Sequence, residues 1–414
     1  MMKKLIAVLI LGYLSISVRG QDSLNLKIAE QVEVIEHLVR EPMFVEHPSG
    51  SLFVSGYSNK TATPHLWRSD DKGKTWNILD VGTQSEGADG NSDVDLAVDS
   101  QGTLYFITMR YTTFPENMDD FDFMKAKGKH IAVGVSKDEG SSWKWKYISK
   151  EDYDDRPWIV VDSDHGAHII WNNNKGVHYV KSKDQGETWS EKMTISPKGG
   201  SSHFAAGENG LLAVRVSALS ASATIYSSGT DFVSISKDNG DTWNSVKLPG
   251  KRSWKGERSN GVDRWVDPLA WDDNDILYHM WSENQTLYLG VSEDYGQNWN
   301  IIEVLKNEDQ LYFPFLSIKN GTLAFSCLSG YDNDIRHHAG VINLVGNEYN
   351  VSAIEPLKLE NLKGRFGSDT LSHGGEYFPI QVLKDGDLGM VTTIQDYGKN
   401  QLGFTWWRLK IELD

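Results

Sequence analysis

Ser69-Asp70-Asp71-Lys72-Gly73-Lys74-Thr75-Trp76 is the stretch that decides the fold, because its pattern Ser-x-Asp-x-Gly-x-Thr-Trp recurs along the chain. Related eight-residue stretches, with Ser or Asn at the Thr position in two of them, begin at residues 136, 182, 236 and 292. We call these five stretches the boxes. Successive boxes start 46 to 67 residues apart, a period that suits one four-stranded blade per repeat. The repeats therefore predict a β-propeller.

The chemistry of a box is that of a tight turn. Asp and Ser side chains hydrogen-bond to nearby backbone N–H groups, Gly supplies a positive φ, and Trp covers the turn. Each box is predicted to join the third and fourth strands of a blade. The box aspartates are interpreted as turn formers rather than as catalysts or metal ligands: Asp71, Asp138, Asp184, Asp238 and Asp294.

Alternating apolar residues between the boxes predict the remaining strands. The first strands of blades 1 to 4 are predicted to start at Met43, Val94, Trp158 and Phe204. Five blades carry boxes, and a sixth without a box fits residues 313–357. The segment 377–413 supplies only three strands, so residues 26–39 are predicted to add the fourth and close the ring. The fold class is all-β, a β-propeller of seven blades, with six as the alternative.

Composition and charge limit the function classes. The net charge of −16 over 414 residues argues against nucleic acid as a partner, since phosphate binding needs a basic surface. Residues 1–20 combine Lys3 and Lys4 with a short apolar run, which predicts a cleaved signal peptide and a secreted or periplasmic protein. That run is too short for a membrane span. Residues 21–414 contain no linker and are predicted to form a single, monomeric propeller domain.

Charged and aromatic residues gather just before the predicted first strands and in the loops between second and third strands. Both lie on the face away from the boxes, where these residues would converge on the propeller axis. Arginine suits a substrate carboxylate, tryptophan can stack on a sugar, and a Tyr beside a carboxylate can transfer a proton. Each also has a structural alternative, an ion pair or core packing. The predicted substrate-binding residues are Arg40, Arg156, Arg264, Arg336, Trp158 and Trp265, and the predicted catalytic residues are Tyr377, Glu376, His203 and Tyr111.

No metal-binding or cofactor motif occurs in the sequence. The adjacent His337 and His338 are interpreted as part of a solvated loop rather than as metal ligands. No cofactor is required, although Asp-rich loops are compatible with a structural Ca²⁺. The single cysteine, Cys327, excludes an intramolecular disulfide.

The boxes and their spacing, over nearly the whole predicted mature chain, resemble the sialidase-like, BNR-repeat superfamily of secreted propellers. Val39-Arg40-Glu41-Pro42 is similar to the Phe/Tyr-Arg-Ile-Pro motif of true sialidases. This resemblance implies an arginine triad for the sialate carboxylate, assigned by position to Arg40, Arg264 and Arg336, and a tyrosine nucleophile at Tyr377. The chain departs from the family at Glu41, which replaces isoleucine, and in residues 57–64, which hold no Asp to be the acid.

These features together predict a secreted carbohydrate-active enzyme, a glycoside hydrolase acting on an acidic oligo- or polysaccharide in an Arg-lined central pocket. Seven-bladed rhamnosidase-like hydrolases and ulvan-type lyases look similar, so a lyase or dehydratase acting on uronic-acid glycans is an alternative. In a lyase, Arg would neutralise the uronate carboxylate while Tyr or His moves the proton. A non-catalytic glycan-binding propeller is the third hypothesis, because fold does not fix function.

Overall fold

The structure is a computed structural model. It describes residues 24–58, 61–113, 120, 122, 125–217, 231–249, 266–283, 285–330, 334–345, 348–359, 376–396 and 401–413. The predicted signal peptide, Arg264 and Trp265 lie outside the described residues.

Seven antiparallel sheets form the seven blades, as predicted. Blade 1 contains β2 (Arg40–Glu46), β3 (Leu52–Tyr57), β4 (His65–Ser69) and β5 (Asn77–Ile78). Blade 2, after a short 3-10 helix at Gln84–Glu86, contains β6 (Ser92–Val98), β7 (Leu104–Tyr111), β8 (Gly128–Ser136) and β9 (Lys144–Ser149). Blade 3 contains β10 (Asp155–Val161), β11 (Ala167–Asn173), β12 (Gly176–Ser182) and β13 (Met193–Ser196).

The remaining blades follow the same order, with the last one closing the ring. Blade 4 contains β14 (Gly200–Ala206), β15 (Leu212–Ser217), β16 (Phe232–Ser236) and β17 (Asn244–Lys247). Blade 5 contains β18 (Leu269–Trp271), β19 (Leu277–Glu283), β20 (Thr286–Ser292) and β21 (Asn300–Lys306). Blade 6 contains β22 (Leu311–Lys319), β23 (Thr322–Ser329), β24 (Arg336–Val345), β25 (Glu348–Ala353) and β26 (Leu357–Lys358). Blade 7 contains β1 (Leu24–Ile35), β27 (Ile380–Val382), β28 (Leu388–Asp396) and β29 (Gln401–Leu413).

The ring closes between the two ends of the described chain. β1 lies beside β29 as the outermost strand of blade 7, in a register that pairs Leu24 with Leu413 and Ile35 with Gly403. The predicted N-terminal closure is therefore confirmed, with a strand that starts two residues earlier and ends four residues earlier than expected.

The boxes make the predicted turns between third and fourth strands. In the first box, Asp71 Oδ1 accepts hydrogen bonds from the Thr75 N–H (2.9 Å) and the Ser69 hydroxyl (2.9 Å), and the Gly73 N–H donates to Ser69 Oγ (2.8 Å). Gly73 has φ 94°, and a Cβ there would lie 2.0 Å from Nε1 of Trp406, so only glycine fits. The other four boxes repeat these bonds.

The first strands of the blades line the centre of the ring and contact one another. In blades 1 to 4 these strands begin earlier than the alternation pattern predicts, because strand pairing continues across a β-bulge near the start of the strand. The bulge is present in β2, β6, β10 and β14, and also in β22. Three bulges hold a non-glycine residue with positive φ directly before a proline: Glu41 (47°), Arg156 (51°) and Phe313 (49°). A bulge of this kind re-aims the side chains it carries.

The expectation for His337 and His338 is wrong. Both lie in β24 rather than in a loop, and their exposed fractions are 0% and 4%. Burial lowers the pKa of His337 to about 3 and that of His338 to about 4. The polar sequence Arg336-His337-His338 is typical of a loop. In the structure these residues form the first part of β24, because they pair with β23 on one side and Arg336 and His337 pair with β26 on the other. No helix within the described residues has the length and apolarity needed to cross a membrane.

Candidate functional site

Eight polar side chains from blades 1, 2, 3 and 7 meet where the first strands begin, opposite the box face. Blades 3 and 7 are not neighbours in the ring, so the 3.8 Å approach of Arg156 Nη2 to Glu376 Oε2 crosses the centre of the propeller. We call this set the axial group; its members are Arg40, Glu41, Tyr57, Asp93, Asp155, Arg156, Glu376 and Tyr377.

Blade 1 supplies a buried carboxyl group, that of Glu41. Glu41 is 7% exposed, and its Oε1 accepts a hydrogen bond from the backbone N–H of Glu376 (3.3 Å). The hydroxyl of Tyr57 also hydrogen-bonds to Glu41, and the Arg40 guanidinium lies 5.7 Å from the centre of the Tyr57 ring. Burial and the negative charges of Asp93 and Glu376 raise the pKa of Glu41 well above its ordinary value, against the opposing effect of Arg40. Burial and the neighbouring charges thus favour the protonated form of Glu41.

Blade 2 supplies Asp93, whose charge acts on several groups around it. The Tyr377 hydroxyl lies 3.5 Å from Asp93 Oδ2, at the long limit of a hydrogen bond. Burial, and then the charges of Asp93, Glu41 and Glu376, raise the pKa of Tyr377 well above its ordinary value. The phenol therefore keeps its proton unless a base removes it, and Asp93 is the carboxylate within reach.

Blade 3 supplies a carboxyl group that titrates near neutrality. Burial, with the charges of Asp93 and Asp154, raises the pKa of Asp155 to about 7, while the adjacent Arg156 opposes this rise. Burial and the charges of Asp155 and Asp93 also raise the pKa of Tyr111 to about 12, which places Tyr111 beside the same two carboxyl groups.

An aromatic layer supports the axial group. Trp158 is only 2% exposed, and its ring lies 5.0 Å from that of Tyr377 and 5.2 Å from that of His203. Nδ1 of His203 accepts a hydrogen bond from the Leu269 N–H (3.2 Å), so the neutral ring carries its proton on Nε2. Burial, and then the charge of Arg215, lower the pKa of His203 to about 3. Trp158 occupies a packing position, and its predicted role as a sugar platform stays a prediction.

The structure thus brings together seven predicted residues. Four are in the axial group, two pack in the aromatic layer and one lies near Asp93 and Asp155; in that order they are Arg40, Arg156, Glu376 and Tyr377, then Trp158 and His203, then Tyr111. Arg336 is different: it is 44% exposed and pairs with Asp334 at 3.2 Å, and no described contact connects it to the axial group. The expected Arg-lined pocket is, among the described residues, richer in acid, with four carboxyl groups and two arginines.

Sequence reasoning missed four members of the group: Glu41, Tyr57, Asp93 and Asp155. Glu41 and Asp155 stand in sequence beside Arg40 and Arg156, and a carboxylate next to an arginine is equally compatible with a local ion pair. Asp93 lies just outside blade 2 as the alternation pattern predicts it, because that pattern starts the first strand at Val94. The bulges in the structure identify it, since Asp93 occupies in β6 the position that Glu41 holds in β2 and Arg156 holds in β10.

The described residues contain no group of three or more His, Cys, Asp and Glu side chains arranged to hold a metal ion. The expectations that no cofactor is required and that a structural Ca²⁺ is compatible with the loops stay predictions.

Comparison with known proteins finds similar structures but no similar sequences. No protein-family model matches the chain, and no curated protein matches it in sequence. Among solved structures, the chain is similar to a fungal alcohol oxidase of the AA5 family in complex with copper (TM-score 0.56, 9% identity, covering 92% of this chain and 76% of that one). It is also similar to a PL25 ulvan lyase bound to -[GlcA(1-4)Rha3S]- (TM-score 0.53, 12% identity, covering 93% and 96%).

A more distant likeness is to the intramolecular trans-sialidase of Ruminococcus gnavus (TM-score 0.43, 12% identity, covering 93% and 96%). At such identities the two stronger likenesses show the propeller fold alone. The reaction has to be argued from the axial group.

Proposed function

We propose that the protein is a secreted glycoside hydrolase that acts on an acidic glycan at the axial group. The observation that carries the proposal is the pairing of Tyr377 with Asp93 beside the Asp155 carboxyl, whose pKa is raised to about 7. Glycosidases combine a protonated carboxyl group with an ionised one, and some use a tyrosine as the nucleophile.

The proposed reaction has two steps. In the first, the phenol oxygen of Tyr377 bonds to the anomeric carbon while Asp93 takes the phenol proton, and the leaving glycosidic oxygen takes the proton of Asp155. In the second, water attacks the anomeric carbon and gives a proton to Asp155, while Asp93 returns its proton to the departing Tyr377 oxygen. Arg40 and Arg156 are the planar donors for a substrate carboxylate.

Glu41 would hold the nucleophile in place rather than react. Its carboxyl group accepts the backbone N–H of Glu376, the residue before Tyr377. This bond joins blade 1 to blade 7 directly beneath the proposed nucleophile.

Elimination on a uronic-acid glycan is the second candidate, favoured by the position of Arg156 against Tyr377. Arg156 would neutralise the uronate carboxylate, which eases removal of the neighbouring proton. His203 suits the role of base poorly, because its pKa is lowered to about 3 and its Nδ1 is occupied by a hydrogen bond.

A substrate panel of sialosides, rhamnosides, ulvan and other uronic polysaccharides tests the proposal, with Tyr377→Phe as the matched variant that loses only the hydroxyl. We expect release of reducing sugar by the wild-type protein and about 10²–10⁴-fold less by Tyr377→Phe.

A new ultraviolet absorbance from unsaturated uronate would instead select elimination. Normal glycan binding with no turnover of any substrate would reduce the protein to a binding propeller. Equal activity of wild type and Tyr377→Phe would remove the nucleophile from the proposal.

A further inference from the structure

A second polar region lies beside the axial group. The connection from blade 2 to blade 3 and the turn between β11 and β12 line an open cavity of about 490 Å³. Tyr153 lines the cavity and precedes Asp155 of the axial group by two residues. Two residues of chain span at most about 7 Å, so the Cα atoms of Tyr153 and Asp155 lie within that distance. The lining residues of the cavity are Lys150, Glu151, Asp152, Tyr153, Asn173, Asn174 and Lys175.

The charge of this region contrasts with that of the whole chain. Lys175 and Lys192 both pair with Glu151, the former at 2.9 Å. Lys127 and Lys129 both pair with Asp152, the latter at 3.8 Å. Lys150 adds a fifth cation, with its Nζ 3.7 Å from the centre of the Tyr147 ring.

We call the five lysines around these two carboxylates the lysine rim; they are Lys127, Lys129, Lys150, Lys175 and Lys192. Five lysines against three carboxylates, Glu151, Asp152 and the buried Asp154, leave an excess of positive charge, in a protein whose net charge is −16. Such a local excess attracts an anionic ligand.

The cavity is preformed. Asp154 is fully buried, and its carboxylate accepts hydrogen bonds from both walls: from the Glu151 N–H (2.9 Å) on one side and from the Asn173 side chain (3.2 Å) on the other. Tyr153 has φ 72° and donates its N–H to the Gly128 carbonyl (2.9 Å), which fixes it at the cavity wall. A site with its walls already held costs little to order on binding.

We propose that the lysine rim is a binding subsite for the anionic units of a glycan chain, next to the unit that reacts at the axial group. The inference deepens the proposed function and rests on it in placing a glycan at the axis. It separates two tasks: the axial group carries the proton chemistry, and the rim recognises carboxylate or sulfate groups further along the chain. At the cavity wall, the ring of Tyr153 suits the apolar face of a sugar, and the side-chain amide of Asn173 suits its hydroxyl groups.

The test measures binding without turnover. Lys129→Gln/Lys150→Gln removes two rim charges, and Lys137→Gln/Lys144→Gln is the matched control, two exposed lysines that share Glu187 on the box face. The probes are polygalacturonate for carboxylate, chondroitin sulfate for sulfate, and neutral dextran. We expect the rim variant to bind one or both polyanions about tenfold more weakly, more so at low salt, while the control binds like wild type.

Which polyanion loses more affinity identifies carboxylate or sulfate as the preferred group. Unchanged binding by the rim variant would overturn the inference, as would dextran binding equal to that of the polyanions. An equal loss for single-stranded DNA would also overturn it, by showing a patch that attracts any polyanion. If the binding results hold but no glycan is ever turned over, the rim stands and the proposed hydrolase fails.

Discussion

The box aspartates and the axial residues carry the same functional group, a carboxyl group, in two opposite environments. In a box, the Asp carboxylate lies at the surface and accepts hydrogen bonds from its own turn, which lower the pKa of Asp71 and Asp184 to about 2. At the axis, burial and neighbouring negative charge raise the pKa of Asp155 to about 7 and that of Glu41 well above its usual value.

The difference teaches how to separate structural from chemical acids in a repeat protein. A carboxylate that is stabilised in its charged form by local donors is fixed in that form and suits a turn. A carboxyl group crowded with others in a buried space can change its protonation near neutral pH, which acid–base catalysis needs.

The largest expected effect comes from making one substitution in both regions. Asp93→Asn should lower kcat by about 10²–10⁴-fold, because the group that accepts the Tyr377 proton is lost while its size is kept. Asp238→Asn, in the fourth box, should leave kcat unchanged. Steady-state kinetics on the substrate found in the panel, with circular dichroism to verify folding, gives the answer. Equal losses in the two variants would break the distinction between the regions.

The next effect is on pH dependence. Asp155 is protonated below its raised pKa of about 7, so kcat/KM should fall about tenfold per pH unit as the pH rises above 7. The same raised pKa means that the folded state binds more protons than the unfolded chain between about pH 4 and 7. The Asp155 contribution to stability should therefore decline as pH rises through that window.

A pH profile of kcat/KM and urea unfolding at several pH values measure both consequences. Asp155→Asn should abolish the alkaline decline in activity along with most of the activity itself. An alkaline limb centred several units above 7 would assign the acid to another group.

The smallest expected effect is on stability in the boxes. Asp238→Ala removes the acceptor for the Ser236 hydroxyl and for the Thr242 N–H and hydroxyl. We expect Tm to fall by about 2–4 °C with kcat unchanged, measured by thermal unfolding beside an activity assay. A large loss of activity at unchanged Tm would show that the box carboxylates have a role in the reaction after all.

The architecture was readable from the sequence because it repeats. Box spacing predicted the blades, and the three-strand segment at 377–413 required a strand from the other end of the chain. The site was only partly readable, because its geometry depends on bulges that alternation patterns do not register. Asp93 directly precedes a predicted strand, so the alternation pattern leaves it unassigned. The buried His337 has polar neighbours in sequence, and such a stretch predicts a loop.

Contacts across the ring could also not be predicted from the sequence. Arg156 is a predicted substrate-binding residue, but nothing in its local sequence indicates that Glu376, more than 200 residues later, faces it across the propeller. The pKa of a buried group depends on such distant partners, and a local motif cannot supply it.

The pairing of β1 with β29 has a consequence for how the molecule forms and lasts. The ladder joins residue 24 to residue 413, so the seventh blade cannot be completed until nearly the whole sequence has been synthesised. Such distant contacts slow folding, although the entropy of closing so long a loop rises only slowly with length. Once formed, the ladder must be broken along its length before the ring can open, which makes unfolding slow. A chain with one cysteine, which cannot form an intramolecular disulfide, thus gains persistence from its topology.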